Sequence, residues 1–304
     1  MPESIFSLIE KAPQIAIFRH TSPDMDAFGS QNGLALALKH IWPEKSVVRM
    51  GADSFRGIPM DEARLEPGYL AVILDTGNSP RIDGEGWKEA EHSIRIDHHV
   101  PVEEIAETEW IDDKASATSE MLALFFKKHN LQIGPEAAQW LYQGLTADNL
   151  RFTTGNVRPE TFEAAAYLLE QGANLQEAEQ ANFSTDYPTF RYDALVAQKA
   201  LRLGNFQYAV METADWLQCG LNFEQAKQQV FPLAGVIGIE VWALFTRMED
   251  EVHYQASLRS READVRSIAA KYNGGGHVCA AGIKNLSAAD VAAIIQQLHE
   301  LSLA

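Results

Sequence analysis

The first half of the chain alternates short, almost wholly apolar runs with segments of helical periodicity. The apolar runs are QIAIF at 14–18, LAVIL at 70–74 and SIRI at 93–96, and the helical patterns include GSQNGLALALKHI at 29–41 and GWKEAEH at 86–92. Strands that lack polar alternation are buried on both faces, which is typical of parallel strands connected by helices. The pattern therefore predicts an α/β fold whose N-terminal sheet is mostly parallel and flanked by helices.

A second set of strand patterns begins after Gly204. It includes FQYAVME, IEVWALFTRM and VHYQASLRS, and two helical patterns, ADVRSIAAKY and SAADVAAIIQQLHEL, follow them. We predict an N-terminal catalytic domain over residues 1–185, a helical linker over 186–204 and a smaller α/β substrate-binding domain over 205–304, with a cleft between the domains. A chain of 304 residues is long enough for such a plan.

The net charge of −17 argues against a surface that binds long nucleic acid, because such binding needs a basic track to displace counterions. It does not exclude a small anionic substrate. The two cysteines, Cys219 and Cys279, form no CxxC motif, no apolar run is long enough to span a bilayer, and the N-terminus lacks the order of a secretory signal. We expect a cytoplasmic protein without a membrane partner; a homodimer is expected only as the commonest assembly.

Polar side chains follow each apolar run at the point where a strand should end. His20 follows the first run closely, Asp75 directly follows the second, and Asp97 directly follows the third. In parallel sheets ligands bind beyond the carboxyl ends of the strands. These three side chains are therefore expected to share one site.

Further imidazoles and carboxylates surround these three positions in the sequence, and no thiolate accompanies them. Oxygen and nitrogen ligands of this kind suit Mn²⁺, Mg²⁺, Fe²⁺ or Zn²⁺, and an excess of carboxylates favours the harder ions. Five or six ligands are too many for one catalytic ion but suit two ions that share a carboxylate, an arrangement that promotes attack at phosphorus. The candidates are His20, Asp24, Asp26, Asp75, Asp97, His98, His99 and Asp148.

Each of these residues also fits a structural role when it is taken alone. Asp24 and Asp26 could cap a helix, since aspartate is favoured at helix N-termini, and Asp75 could begin a turn. Gly29 and Ser30 could open the following helix and leave backbone N–H groups free to face an anion. The structural roles do not explain why so many acids and imidazoles lie at one edge of the sheet.

Four segments resemble, in order, the motifs of the DHH phosphoesterase family: HTSPDMDAFGS, LDTGNS, DHH and GLTADNLRF. The segment YNGGGHVCAAG resembles the glycine-rich motif of the associated C-terminal domain, so the resemblance covers almost the whole chain. The length and two-domain plan are most similar to the bacterial nanoRNase branch that also acts as a pAp phosphatase. The fourth motif departs from the family, where Asp-Thr-Gly is more usual than Asp148-Asn149-Leu150.

The resemblance implies a role for each matching residue. His20 and Asp24 are expected to bind one Mn²⁺ ion and Asp26, His98 and Asp148 a second, with Asp75 bridging both. His99 is expected to meet the scissile phosphate as a hydrogen-bond donor or acid, and Asp97 to orient the histidines. The residues expected to hold the rest of the nucleotide are Arg259, Ser260, Gly274, Gly275, Gly276 and His277.

The expected activity is the hydrolysis of short oligoribonucleotides or dinucleotides, and of 3′-phosphoadenosine 5′-phosphate (pAp), to mononucleotides, with two divalent ions, Mn²⁺ by the resemblance. Three alternatives stay open. The first is a phosphodiesterase for cyclic or linear dinucleotides. The second is hydrolysis of pyrophosphate or polyphosphate, against which the SLRS and GGGH segments argue. The third is a nucleotide sensor without catalysis, which predicts at least one broken ligand position.

Overall fold

A computed structural model describes residues 3–52, 54, 57–61 and 64–303 of the chain. The chain folds into two compact units, the first ending at Ser184 and the second beginning at Thr185. Each unit has its own sheet and its own hydrophobic core. Among the described residues, no helix combines the length and apolar character needed to cross a membrane.

The first unit is built on a sheet of five strands, and every neighbouring pair in it is parallel. The spatial order is β2-β1-β3-β4-β5. The predicted parallel α/β architecture is therefore confirmed. The strands are β1 (Gln14–Phe18), β2 (Ser46–Arg49), β3 (Leu70–Leu74), β4 (His92–Asp97) and β5 (Thr108–Ile111).

Helices pack on one face of this sheet and supply most of the core, in which leucine, isoleucine and phenylalanine side chains are fully buried, whereas loop residues such as Ile82 cover the other face. The helices are α1 (Glu3–Lys11), α2 (Met25–Ile41), α3 (Thr118–Lys128), α4 (Pro135–Asp148), α5 (Pro159–Glu170) and α6 (Leu175–Phe183). The segment 86–92, for which the sequence predicts a helix, contains none and ends in the first residue of β4. Isolated helical turns this short are unstable in water unless packing supports them.

The order of the strands places a crevice between β1 and β3. From β1 the chain crosses to β2 on one side, and β3 then pairs with β1 on the other side. Ligands bind at such reversals of strand order, just beyond the strand C-termini. The residues that follow β1 and β3 are therefore the ones that line the crevice.

Glycines bring α2 and α4 into close contact. A Cβ atom at Gly29 would lie 2.7 Å from the carbonyl oxygen of Trp140, and one at Gly33 would lie 2.5 Å from a side-chain carbon of Leu141. Gly29 lies inside α2 rather than at its start, so the expectation that it opens the helix toward an anion is wrong. Its function is to let the two helices approach, since any side chain would separate them.

The second unit contains a six-stranded mixed sheet with the order β10-β11-β9-β8-β7-β6, in which only β7 and β8 are parallel. Helices pack on both of its faces. Its strands are β6 (Leu201–Leu203), β7 (Phe206–Met211), β8 (Val241–Arg247), β9 (Tyr254–Ser260), β10 (Gly275–His277) and β11 (Ala280–Leu286). Its helices are α7 (Tyr187–Lys199), α8 (Thr213–Leu217), α9 (Phe223–Ala226), α10 (Val265–Lys271) and α11 (Ala288–Leu301).

Candidate active site

The structure brings six of the predicted ligand residues together at the carboxyl edge of the parallel sheet. They form two triplets, and within each triplet the candidate ligand atoms lie within 4.8 Å of one another. A third triplet of the same kind joins Asp75 to both histidines of the DHH motif. The first two triplets are His20, Asp24 and Asp75, and Asp26, His98 and Asp148.

Asp75 lies between the two triplets and uses a different carboxylate oxygen toward each. Its Oδ2 is 3.6 Å from Nε2 of His20, and its Oδ1 is 3.4 Å from Nε2 of His98. The residue is buried and has a φ of 51°, a left-handed conformation that is uncommon for an aspartate directly after a strand. Strained backbone of this kind persists where the surrounding structure fixes it, most often at functional sites.

Two of the imidazoles use one ring nitrogen for the protein and present the other to the acids. Nδ1 of His20 lies 2.8 Å from the carbonyl oxygen of Thr21 and 2.9 Å from the guanidinium of Arg81, and Nδ1 of His98 lies 3.3 Å from the carbonyl oxygen of Ala115. A ring that donates from Nδ1 to a carbonyl keeps the Nε2 lone pair for a metal, and such outer partners accompany most histidine ligands. The donor set and its orientation therefore fit divalent cations.

Asp24 and Asp26 are also helix caps. Asp24 is the N-cap of α2, and its Oδ1 accepts hydrogen bonds from the backbone N–H groups of Asp26 and Ala27. Asp26 accepts from the first two N–H groups of α3, those of Thr118 and Ser119, at 2.6 and 3.0 Å. The structural and the functional interpretation of the Asp-x-Asp spacing are thus compatible, because the caps use only some of the carboxylate lone pairs.

Asp97 contacts His99, whereas His98 is oriented by the Ala115 carbonyl. Oδ1 of Asp97 is 2.7 Å from Nδ1 of His99, and its Oδ2 accepts a 2.6 Å bond from Arg95. The sequence interpretation missed Arg95, although a charged residue inside an apolar strand is a signal that a buried partner must exist. The ring of His99 is half exposed, so its Nε2 can face a ligand.

Burial and mutual repulsion perturb the acids of the second triplet. Burial and the charges of Asp75 and Asp148 raise the pKa of Asp26 well above its usual range. Burial, with the charges of Asp75 and Asp24, raises the pKa of Asp148 to about 6, although His98 opposes the shift. Carboxylates crowded in this way repel one another unless cations neutralise them.

The pKa of His98 is raised as well, but here the shift favours the charged form of the side chain. Burial disfavours the charge on His98, but its hydrogen bond to Asp75 and the charges of Asp26 and Asp148 outweigh burial and raise its pKa to about 10. In the protein without metal this imidazole therefore carries the proton that partly offsets the acids. A divalent ion would have to displace that proton.

A left-handed turn follows Asp148 where the sequence departs from the family motif. Leu150, Arg151 and Phe152 have φ values of 47°, 61° and 63°. The buried Asn149 holds the turn, because its Oδ1 accepts from the N–H of Phe152 at 2.8 Å. Arg151 pairs with the carboxylate of Glu179 at 2.9 Å and stacks on a phenylalanine of α6.

In the second unit, His277 and Arg259 flank Ala280 in one row across β10, β11 and β9. Side chains of paired residues share a face of the sheet. Arg259 donates to the carbonyl of Leu258. Burial lowers its pKa. Ser260 faces the other way, and its buried hydroxyl donates to the carbonyl of Ala263 at 2.5 Å.

The three glycines of the GGGH segment have different environments. A Cβ atom at Gly274 would overlap the carbonyl oxygen of Gly282, and one at Gly276, where φ is 140°, would overlap that of Ala280. A Cβ at Gly275 would have no heavy atom within 4 Å among the described residues. Two of the glycines are therefore required by strand packing, and Gly275 leaves open space on the surface.

Comparison with known proteins agrees with this geometry. Residues 14–145 match the N-terminal domain of the DHH family, and residues 205–302 match the DHHA1 domain. The chain is 30% identical over 281 residues to the bifunctional oligoribonuclease and PAP phosphatase NrnA of Thermus thermophilus, covering 88% of this chain and 83% of the relative. It is 29% identical to the NrnA of Bacillus subtilis over 99% of this chain and 98% of that protein.

This protein belongs to the DHH family. It is accordingly a metal-dependent hydrolase of phosphoester bonds, and the triplets described above are groups that could hold its metal. The fold is also that of an exopolyphosphatase-related protein from Bacteroides fragilis, with a TM-score of 0.83 and 20% identity over 98% of this chain and 95% of that one. The second DHH-family signature, DHHA1, covers the unit that carries Arg259 and His277.

Proposed function

We propose that this DHH protein holds two Mn²⁺ ions and hydrolyses short oligoribonucleotides and pAp to mononucleotides. One triplet, His20, Asp24 and Asp75, would hold the first ion, and Asp26, His98, Asp148 and Asp75 would hold the second. The observation that carries this proposal is the position of Asp75, whose two oxygens face imidazoles of different triplets at 3.6 and 3.4 Å.

Two bound divalent ions would supply positive charge for both the attacking and the leaving oxygen of an in-line displacement at phosphorus. The chain supplies the rest of the chemistry. The carboxylates of the triplets set the positions of the charges, and the backbone carbonyls beneath His20 and His98 keep their Nε2 atoms aimed inward. All six side chains are present, which removes the broken position that a sensor without catalysis requires.

His99 is proposed to donate a hydrogen bond or a proton to the reacting phosphoester. Asp97 holds its Nδ1 at 2.7 Å, and the hydrogen bond to Asp97 raises the pKa of His99 despite its burial. A protonated imidazole with one nitrogen fixed can donate from the other. The Arg95–Asp97 pair beneath it fixes the ring without contacting the substrate itself.

The substrate class is proposed from the relatives' names and from the second unit. The Bacillus and Thermus relatives are named as oligoribonucleases and PAP phosphatases, and they match this chain over most of its length. Arg259 and His277 share one face of their sheet, where Arg259 can fork onto a phosphate or carboxylate. The open surface at Gly275 lets a ligand approach the backbone there. The hydroxyl of Ser260 donates to Ala263 and its N–H to the carbonyl of Cys279, so its proposed part is to hold the neighbouring Arg259 in place.

The proposal is tested by incubating the chain with Mn²⁺ and RNA of graded length, pAp, linear or cyclic dinucleotides, and pyrophosphate or polyphosphate. We expect turnover of the short RNAs and pAp, its loss on chelation, and a loss of more than about 100-fold in Asp75→Asn, beyond the range of outer-shell changes. Asp193→Asn is the control, because Oδ1 of Asp193 has no hydrogen-bond partner among the described residues and lies outside the site.

Full activity of Asp75→Asn, or turnover that survives thorough removal of metal, would refute the two-ion site. Exclusive turnover of cyclic or linear dinucleotides would replace the proposed substrate with the dinucleotide alternative. Exclusive turnover of pyrophosphate or polyphosphate would replace it with the other alternative. The results with Asp75→Asn and with metal removal test the two-ion site, whereas the choice among substrates tests only the proposed substrate.

A further inference from the structure

The segment from Ala115 to Glu120 comprises the end of the connection from β5 and the first residues of α3, and it contacts three of the residues in the triplets. The carbonyl oxygen of Ala115 lies 3.3 Å from Nδ1 of His98. The hydroxyl of Thr118 donates to Oδ1 of Asp75 at 3.1 Å. The backbone N–H groups of Thr118 and Ser119 donate to the two oxygens of Asp26. Apart from Glu120, the segment consists of small uncharged residues.

Asp26 serves as the cap that α3 lacks. The N-cap position of α3 is Ala117, which makes no side-chain cap hydrogen bond. The free N–H groups of a helix start need acceptors, and the positive end of the helix dipole favours a carboxylate. The carboxylate comes from Asp26, more than ninety residues earlier in the chain. The orientation of this carboxylate is therefore fixed by where α3 begins.

Glu120 holds the segment in place from its other side. It is fully buried, and its Oε2 accepts from the N–H and hydroxyl of Ser116 at 3.0 and 2.7 Å and from the hydroxyl of Thr161 at 2.7 Å. Its Oε1 pairs with Arg158 at 2.9 Å. A buried carboxylate satisfied by this many donors has one low-energy position. The Ser116 hydroxyl also accepts from Asn149, the neighbour of Asp148.

We propose that Ala115–Glu120 is a positioning element that sets the distance between the two proposed metal positions. Thr118 is its central residue, because it contacts both Asp75, whose two oxygens face imidazoles of different triplets, and Asp26 of the second triplet. Its hydroxyl fixes which oxygen of Asp75 faces the second triplet, and its N–H fixes Asp26. This inference rests on the proposed two-ion site and adds residues that do not touch metal or substrate.

The test is Thr118→Val, which removes the hydroxyl at constant volume and keeps the N–H bond to Asp26. We expect Mn²⁺ affinity of the full chain, measured by isothermal titration calorimetry, to fall about 10- to 100-fold, as for other outer-shell changes. Thr118→Ser retains the hydroxyl and should restore wild-type affinity. At saturating Mn²⁺ the remaining defect should lie in kcat rather than in KM, because the substrate is not contacted.

Thr213→Val is the matched control, since Thr213 is buried in the second unit and its hydroxyl donates to the carbonyl of Met248. It should lose stability without losing Mn²⁺ affinity. Thr118→Ala, with its smaller side chain, gives a second measurement if the valine variant does not fold. Wild-type affinity in a folded Thr118→Val or Thr118→Ala variant would overturn the inference alone. A wild-type chain that binds no divalent ion would overturn the proposed function as well.

Discussion

Gly144 lies on α4, one turn before Asp148, at the point where α4 meets the start of α3. A Cβ atom there would overlap Oγ of Ser119 and would lie 2.9 Å from Oδ1 of Asp26. Both neighbours are almost fully buried, so neither can move into solvent. Gly144→Ala should therefore displace either the helix or the Asp26 carboxylate, which belongs to the proposed metal site.

The expected change in the free energy of unfolding of Gly144→Ala is the sum of opposing contributions. Alanine inside a helix is favoured over glycine by about 1 kcal/mol. Overpacking of a close contact costs about 1–3 kcal/mol. A displaced Asp26 would also weaken its charge-assisted bonds to the N–H groups of α3, which contribute about 1.5–3 kcal/mol each. We expect a net loss of about 1–3 kcal/mol in the free energy of unfolding, given partial relaxation of the neighbours.

The assay compares urea and thermal unfolding of the wild type, Gly144→Ala and Gly155→Ala. A loss of 1 kcal/mol lowers Tm by roughly 2–4 °C in domains of about 150–250 residues. Gly155 is the control, because a Cβ there would have no heavy atom within 4 Å among the described residues and its φ is not in the left-handed region. It should stay within about 0.5 kcal/mol of the wild type.

A double variant identifies the contact that causes the loss. Ser119→Ala removes the atom that the new Cβ would overlap, so Gly144→Ala combined with Ser119→Ala should regain part of the stability. The contact with Asp26 remains, and Mn²⁺ affinity should stay below that of the wild type. The reasoning is refuted if Gly144→Ala is as stable as Gly155→Ala, or if the second substitution restores nothing.

Three further predictions concern the left-handed turn at Leu150, the protons that compete with metal in the proposed site, and the buried Arg95–Asp97 pair. Leu150→Gly should raise the free energy of unfolding by about 0.5–1 kcal/mol, because glycine tolerates the left-handed φ, whereas Leu150→Ala should not raise it. Equal urea midpoints for the two variants would show that the backbone at Leu150 is not strained. Mn²⁺ affinity should rise between about pH 5 and 8, because protons on His98 and Asp148, whose pKa values are raised to about 10 and about 6, compete with the metal and are released on binding. Calorimetry in two buffers of different protonation enthalpy would measure this proton release. A pH-independent affinity would exclude the competition between protons and metal. Arg95→Met should cost about 3–5 kcal/mol in thermal unfolding by leaving Asp97 buried without its cation, and Arg95→Met with Asp97→Asn should recover part of that loss.

The sequence predicted the edge of the sheet at which the site lies, because apolar runs followed by His20, Asp75 and Asp97 reveal where parallel strands end. The grouping of the ligands required the family resemblance, since periodicity cannot show which loops meet. The helix predicted at 86–92 is absent: Trp87 and Ala90 pack against the sheet without helical structure, and a segment this short offsets little of the cost of helix nucleation.

Other features could not be predicted, because they depend on contacts between distant parts of the chain. The capping of α3 by Asp26 joins residues more than ninety positions apart, and neither residue pattern indicates it. The left-handed turn at Leu150, Arg151 and Phe152 contradicts the usual conformational preferences of these residue types; Asn149 supports it with a local bond to the N–H of Phe152 and a tertiary bond to the hydroxyl of Ser116. Arg95 could have been found, since its charge interrupts a strand that is otherwise buried.

The DHH residues show how a helix cap, a buried ion pair and a strand end combine into the proposed metal-binding site. Asp26 is held by the N-terminus of α3, His98 by a backbone carbonyl, and His99 by Asp97 above Arg95. Each held side chain keeps oxygen lone pairs or a ring nitrogen for the site, but the acids repel one another, and the pKa values of Asp26 and Asp148 rise as a result. A divalent ion would remove this repulsion while the partners beneath remain unchanged, so metal binding should stabilise the first unit without reorganising it.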